Sequence, residues 1–237
     1  METGASHERT EGAPRPSLAR RGLALVALMR QQLRRSGGGL IGTTFGALAA
    51  IGFASGMLVL RVEGGAGASF DSILRLGART LPWLSALPLG LSAARDRRVN
   101  DRAEGIELLG FARGFGAGDL GRARLVAAVL EGARLATLPL LLLGLLAASL
   151  TGDAWIALGR VGLAFRVAAA AMAAGAGLSL LGALCGLFGR GYGRALFVFF
   201  ILVPWALAEL GAYRSLSVPG AVQAAFDLAF GAARGAR

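Results

Sequence analysis

No charged side chain occurs between Leu40 and Leu60, and none between Val167 and Leu187. A helix at the surface of a soluble domain shows water a polar side every third or fourth residue, and these stretches do not. At 1.5 Å per residue, about 20 residues cover the ~30 Å hydrocarbon core of a bilayer. A further uncharged run covers Leu135–Gly152, and another begins at Ala195. In lipid each backbone N–H and C=O must find its partner within the protein, which a helix achieves within one segment. The fold class expected is therefore all-α: a polytopic membrane helical bundle of five or six transmembrane helices.

Spans are expected near 40–60, 73–94, 125–150, 167–187 and 195–212. The second carries Arg75 and Arg79 near its start and Pro82 and Pro88 within it. Arginines at a span's end can snorkel to the interface, and neighbouring helices can satisfy carbonyls that proline frees. The stretch 153–166 is mixed in polarity and reads as interfacial. For 220–234 two readings stand: a short sixth span, or an interfacial helix started by Ser217 at the N-cap and Pro219 near the first turn. Residues 1–16 read as a disordered polar tail, not a signal peptide, because the apolar run comes too late. Residues 17–36 read as an amphipathic interfacial helix. Leu18, Leu25, Val26, Met29 and Leu33 share one side, while Arg20, Arg30, Gln31, Arg34 and Arg35 share the other. Ser36 and Gly37 to Gly39 are expected to break it. The transmembrane domain then occupies 37–237.

The formal net charge is +11, with 25 basic residues, every one arginine. In a soluble chain this would suggest nucleic acid. Here the arginines flank apolar runs, where they set orientation and meet lipid phosphates, so no nucleic-acid partner is expected. With an inside N-terminus, inside segments hold 16 arginines and outside segments 8, with Arg134 left out. That bias places the N-terminus in the cytoplasm. The one cysteine, Cys185, and the one histidine, His7, leave no intrachain disulfide, no thiolate metal cluster and no histidine-centred site. No nucleophile stands with a base and an orienting group, so catalytic residues, bound cofactors and metals are not expected on this chain.

The polar segment 95–124, between the second and third spans, is the most informative part. Asp101 and Glu104 have capping-box spacing, and Ile106, Leu108, Leu109 and Phe111 give the following turns apolar sides. A short cytoplasmic helix over 101–112 is expected, ended by Gly114, Gly116 and Gly118, with Asp119 capping the third span. An apolar surface in the cytosol calls for a covering partner.

The run Arg102-Ala103-Glu104-Gly105-Ile106-Glu107-Leu108-Leu109, followed by Asp119-Leu120-Gly121-Arg122-Ala123-Arg124-Leu125, resembles the corresponding loop of type-2 ABC exporter permeases. That family places an acidic residue, glycine, a small or β-branched residue, glutamate and a leucine pair between its second and third spans. A glycine–lysine pair usually opens its third span; Gly121-Arg122 stands there. Where the family carries a proline between these motifs, Gly114-Phe115-Gly116 stands instead. The N-terminal basic helix matches the family's connecting helix. The motif match is confined to the stretch 102–125, and the order of elements matches over nearly the whole chain.

The resemblance implies a transmembrane permease subunit of an ABC transporter, an exporter of the bacterial inner membrane, paired as a homodimer or heterodimer. A separate ABC ATPase subunit would carry ATP and Mg and meet this chain at Glu104, Gly105, Ile106, Glu107, Leu108, Leu109 and Phe111. No phosphate-binding glycine loop of the form G-x-x-x-x-G-K-[ST] occurs, so ATP hydrolysis falls to the partner. A lipid-transfer type of ABC permease and a non-transporting membrane scaffold are the alternatives. Within the third span, Glu131 and Arg134 lie three apart and can pair. Either they form an intramembrane functional pair, or both lie near the inner interface and snorkel. Glu209 and the aromatics Phe197, Phe199, Phe200 and Trp205 carry the same choice between a substrate path and an interfacial or lipid-facing position.

Overall fold

The computed structural model describes residues 18–64, 67–95, 105, 114–189, 191–209 and 217–231. Among them the chain is all-helical, with seven helices: α1 (Leu18–Arg35), α2 (Gly37–Val62), α3 (Gly67–Ala93), α4 (Ala117–Ser149), α5 (Ala154–Phe188), α6 (Gly193–Glu209) and α7 (Val218–Phe230). Three of them, α2, α4 and α5, are long and apolar enough to cross a membrane. α3 has the length, but Asp71, Arg75 and Arg79 occupy its first half.

Two apolar clusters fix the two ends of the bundle. At one end, called the near end, Met29 and Leu33 of α1 pack with Leu89 and Ala93 of α3, Leu120, Ala123, Ala127 and Ala128 of α4, and Ala183 of α5. At the far end Phe70 and Leu74 of α3 pack with Leu143 and Ala147 of α4, Val167 of α5, and Phe226 and Ala229 of α7. Helices α2 to α5 therefore run alternately between the ends, and α4 and α5 pack together most extensively. α3 ends and α4 begins at the near end, beside α1.

Small residues let these helices approach, as expected where lipid supplies no hydrophobic drive between them. Gly38, Gly42 and Gly46 form a stripe at four-residue spacing on α2. A Cβ at Gly42 would run into the carbonyl oxygen of Ser85, and one at Gly38 into that of Pro88. Between α4 and α5, Gly132 and Gly175 stand backbone to backbone, and between α3 and α5 so do Gly90 and Gly182.

Several boundaries depart from the sequence reading, each for a physical reason. The break after α1 is Ser36 alone. It leaves helical geometry (φ −66°, ψ 152°), and its Oγ accepts a hydrogen bond from the Gly39 amide. Gly37 to Gly39 are inside α2, because the stripe they begin packs against α3. α4 starts at Ala117, two residues before the expected cap Asp119 and eight before the expected span. Gly116 is its N-cap, and Asp119 acts from the third position, accepting the Gly116 amide at 3.0 Å. The stretch 153–166 is not a separate interfacial element. It is the first third of α5, capped by Asp153, which accepts from the amides of Trp155 and Ile156.

Within α5 the Arg160 guanidinium donates back to Thr151 Oγ1 (2.6 Å) and the Ala147 carbonyl (3.3 Å). It also lies 3.7 Å from Asp71 and over the Phe70 ring, tying α3, α4 and α5 at the far end.

Of the segment 220–234, residues 220–230 belong to α7, and 232–234 lie outside the described residues. The 13 residues of α7 extend about 20 Å, too short to cross a ~30 Å core. Ser217 caps it by accepting from Gly220, and Gly231 (φ +74°) closes it in the left-handed conformation that favours glycine. Val218 packs with the cluster of Leu178, Phe197 and Ile201, while Arg75 of α3 lies over the Phe230 ring. α7 therefore runs from mid-bundle toward the far end and does not return the chain to the near end. Val222, Phe226 and Ala229 are buried, so it is a packed element of the bundle.

Candidate functional site

α4 is one unbroken helix of 33 residues, about 50 Å long. Its uncharged part begins at Leu135, so its first half, toward the near end, carries Asp119, Arg122, Arg124, Glu131 and Arg134. α1 lies along that half. Met29 and Leu33 are its buried anchors, with Leu25 and Val26 beside them. The apolar side of α1 thus faces other helices of this chain to a large extent, and lipid is not its only cover.

The alignment of α1 on α4 brings four charged residues together. Glu131 is completely buried (0% exposed). Its Oε1 accepts from Arg30 Nε and from Arg34 Nη2, each at 2.7 Å, and its Oε2 accepts from Arg134 Nε at 2.9 Å. The three arginine side chains are 33%, 47% and 32% exposed. A buried carboxylate without partners would be very costly. Here both oxygens are engaged by charge-assisted bonds, two of them from another helix. The hydrogen bond to Glu131 is the main cause that raises the Arg34 pKa above its ordinary value, against a smaller opposing effect of burial.

The Glu131–Arg134 pair expected from three-residue spacing is present, and Glu131 does not snorkel to water. Arg30 and Arg34, placed on the solvated side of α1 by the sequence reading, are instead two of the three donors. Their four-residue spacing puts them one turn apart beside Met29 and Leu33, which is the available signal. That signal is weak because many surface helices carry it.

Gly105 is the one residue of the expected contact motif within the described set. Its φ of +68° lies in the left-handed region, outside right-handed helical geometry, and the rest of the helix expected over 101–112 lies outside the described residues. Gly114 turns the same way, at φ +79°. Glu104, Ile106, Glu107, Leu108, Leu109 and Phe111 lie outside the described residues, as do the tail 1–16 and the side chains of Trp205 and Glu209. Phe197 is buried against Gly90, whereas Phe199 and Phe200 are exposed and stack edge to face at 5.9 Å. Beside Gly114 and Phe115 a groove opens between α1 and the start of α4. It has Leu25, Val26, Ala123 and Val126 in its walls and Arg21, Arg122 and Asp119 at its edges.

Among the described residues no cluster of histidine, cysteine, aspartate and glutamate has the makings of a metal site. Compared with protein-family models, curated proteins and solved structures, the chain matches none of them.

Proposed function

We propose that this chain is the transmembrane permease subunit of an ABC transporter, an exporter driven by a separate ATPase, with its N-terminus in the cytoplasm of a bacterium. The observation that carries the reading is the clamp of Arg30, Arg34 and Arg134 on Glu131. It ties the helix before the first span to the helix that follows the α3–α4 loop.

A transmembrane subunit moved by an external motor needs an element that takes up force outside the lipid and a stiff path into it. α4 is about 20 Å longer than a hydrocarbon core is thick, and it leaves the loop without a break. Through Glu131 a displacement of α4 carries α1 with it, and α1 is joined to α2 through the single hinge residue Ser36. Through Gly132 and Gly175 the same displacement reaches α5 at backbone contact. Packed elements of this kind shift as bodies rather than deform. The loop motif from Glu104 to Leu109 lies in the sequence between α3 and α4, whose flanking ends a motor would push, and the arginine bias favours the cytoplasm for that end.

The test is purification from native membranes in mild detergent, with the co-purifying chains identified by mass spectrometry. An ATPase bearing a phosphate-binding glycine loop is expected in stoichiometric amount. A reproducible partner of any other kind would replace this reading with that of a membrane scaffold.

A further inference from the structure

We propose that the exposed edges of Arg30, Arg34 and Arg134 form a binding site for the phosphate group of an anionic lipid, with Glu131 fixing the three guanidinium groups from beneath. Three cations meet one carboxylate, which leaves the cluster with a net charge of +2. The arrangement holds more positive charge than Glu131 needs. A guanidinium offers five N–H donors, and Glu131 accepts one from each arginine. Each side chain keeps a third to nearly half of its surface open, while the carboxylate has none. Among the described residues no second acidic side chain pairs with these three.

The cluster also sits at a particular level. The uncharged run of α4 begins at Leu135, directly after Arg134, and that of α2 begins beyond Ser36, two residues after Arg34. If α2 and α4 cross the bilayer, as the proposed function requires, this is where acyl chains end and phosphates begin. Arginine forks match phosphate oxygens in geometry, and basic pockets between helices at this depth suit lipid head groups. A lipid phosphate there would offset the surplus charge and bridge α1 to α4 on the side that faces away from Glu131.

The experiment uses the full chain in nanodiscs of phosphatidylcholine, either alone or with phosphatidylglycerol as the minor component. Retained lipid is counted by native mass spectrometry and thermal unfolding is followed in parallel. Wild type should retain phosphatidylglycerol in preference to phosphatidylcholine and unfold at a higher temperature in its presence. Each cytosol-side arginine contributes about fivefold to the attraction, so Arg30→Gln with Arg34→Gln should lower that preference about 30-fold. Glu131→Gln keeps a carbonyl oxygen beneath the guanidinium groups while removing the competing negative charge, and should raise the preference. Arg61→Gln, on an exposed residue at the opposite end of α2, should leave it unchanged.

Because the double variant leaves Glu131 with one donor and can misfold, Glu131→Gln and Arg61→Gln keep the proposal open to refutation. Equal retention of both lipids by wild type, or loss of the preference in Glu131→Gln while its unfolding temperature holds, would overturn it. Excess inorganic phosphate should not displace the lipid; if it does, the site takes free phosphate and the lipid assignment falls. A chain that fails to enter nanodiscs refutes the membrane reading itself, a result separate from insertion without lipid preference.

Discussion

Replacing Glu131 with alanine should loosen α1 without releasing it. The substitution removes the acceptor of three charge-assisted bonds and leaves Arg30, Arg34 and Arg134 converging on an empty position. Breaking a fully buried ion pair from one side costs about 3–5 kcal/mol. These arginines keep 32–47% exposure and can turn to water, so the cost here is about 2 kcal/mol. Two of the bonds cross from α1 to α4, and most of that loss falls on the docking of α1. Against it stand Met29 and Leu33, fully or almost fully buried, each contributing about 1.5–3 kcal/mol by burial. The apolar contacts outweigh the ionic ones, so α1 stays bound but opens more often. Hydrogen exchange in nanodiscs is the assay. Amides of Leu18–Arg35 should exchange about 30-fold faster in Glu131→Ala, while those in the first half of α5, at the far end, are unchanged. Arg134→Gln should have a much smaller effect, because its bond lies within α4 and such pairs contribute only about 0.2–0.5 kcal/mol. Exchange of α1 within twofold of wild type in Glu131→Ala would refute the argument that this carboxylate holds the two helices together.

The remaining predictions concern packing and topology. Gly42→Val should lower the thermal unfolding temperature in detergent, by the equivalent of about 1–3 kcal/mol, since its side chain would meet the Ser85 backbone; Gly52→Val, with open space around it, should not. Arg160→Gln should cost about 1 kcal/mol by loss of the Thr151 bond and the distant Asp71 pair, and should speed exchange at the far end of α4 and α5 only. In a Cys185→Ala background, a cysteine at Gly116 should react with a membrane-impermeant maleimide only from the cytoplasmic side and one at Gly152 only from the opposite side; the reverse pattern would invert the topology.

The helices were legible where the pattern is set by solvent. Uncharged runs located α2, α4, α5 and α6, and the one-sided apolar residues located α1 to within a residue of Leu18–Arg35. Boundaries set by tertiary contact were not legible. The mixed stretch 153–166 looks interfacial until Thr151 and the Ala147 carbonyl are seen to receive Arg160. Gly37 to Gly39 look like a linker until Pro88 is seen packed against Gly38. Glu131 with Arg134 could be read from spacing within one helix. Arg30 and Arg34 belong to a different helix far back in the sequence, and no local pattern encodes which carboxylate they meet. The direction of α7 depends on what Val218 and Phe230 touch, which so short a run does not reveal by itself.

The measurement that bears most directly on the proposed coupling is recovery of an ATPase with Leu108→Asp and Leu109→Asp introduced together. The variant is first shown to insert, by the Gly116 and Gly152 labelling pattern, and is then purified beside wild type from equal amounts of membrane. Wild type should bring down an ATPase with a phosphate-binding glycine loop. Truncating a buried anchor commonly costs about 2 kcal/mol or more, so two charges in its place should cut recovery at least about 30-fold. Equal recovery from both proteins would contradict coupling through this loop, and no ATPase with wild type would contradict the transporter reading.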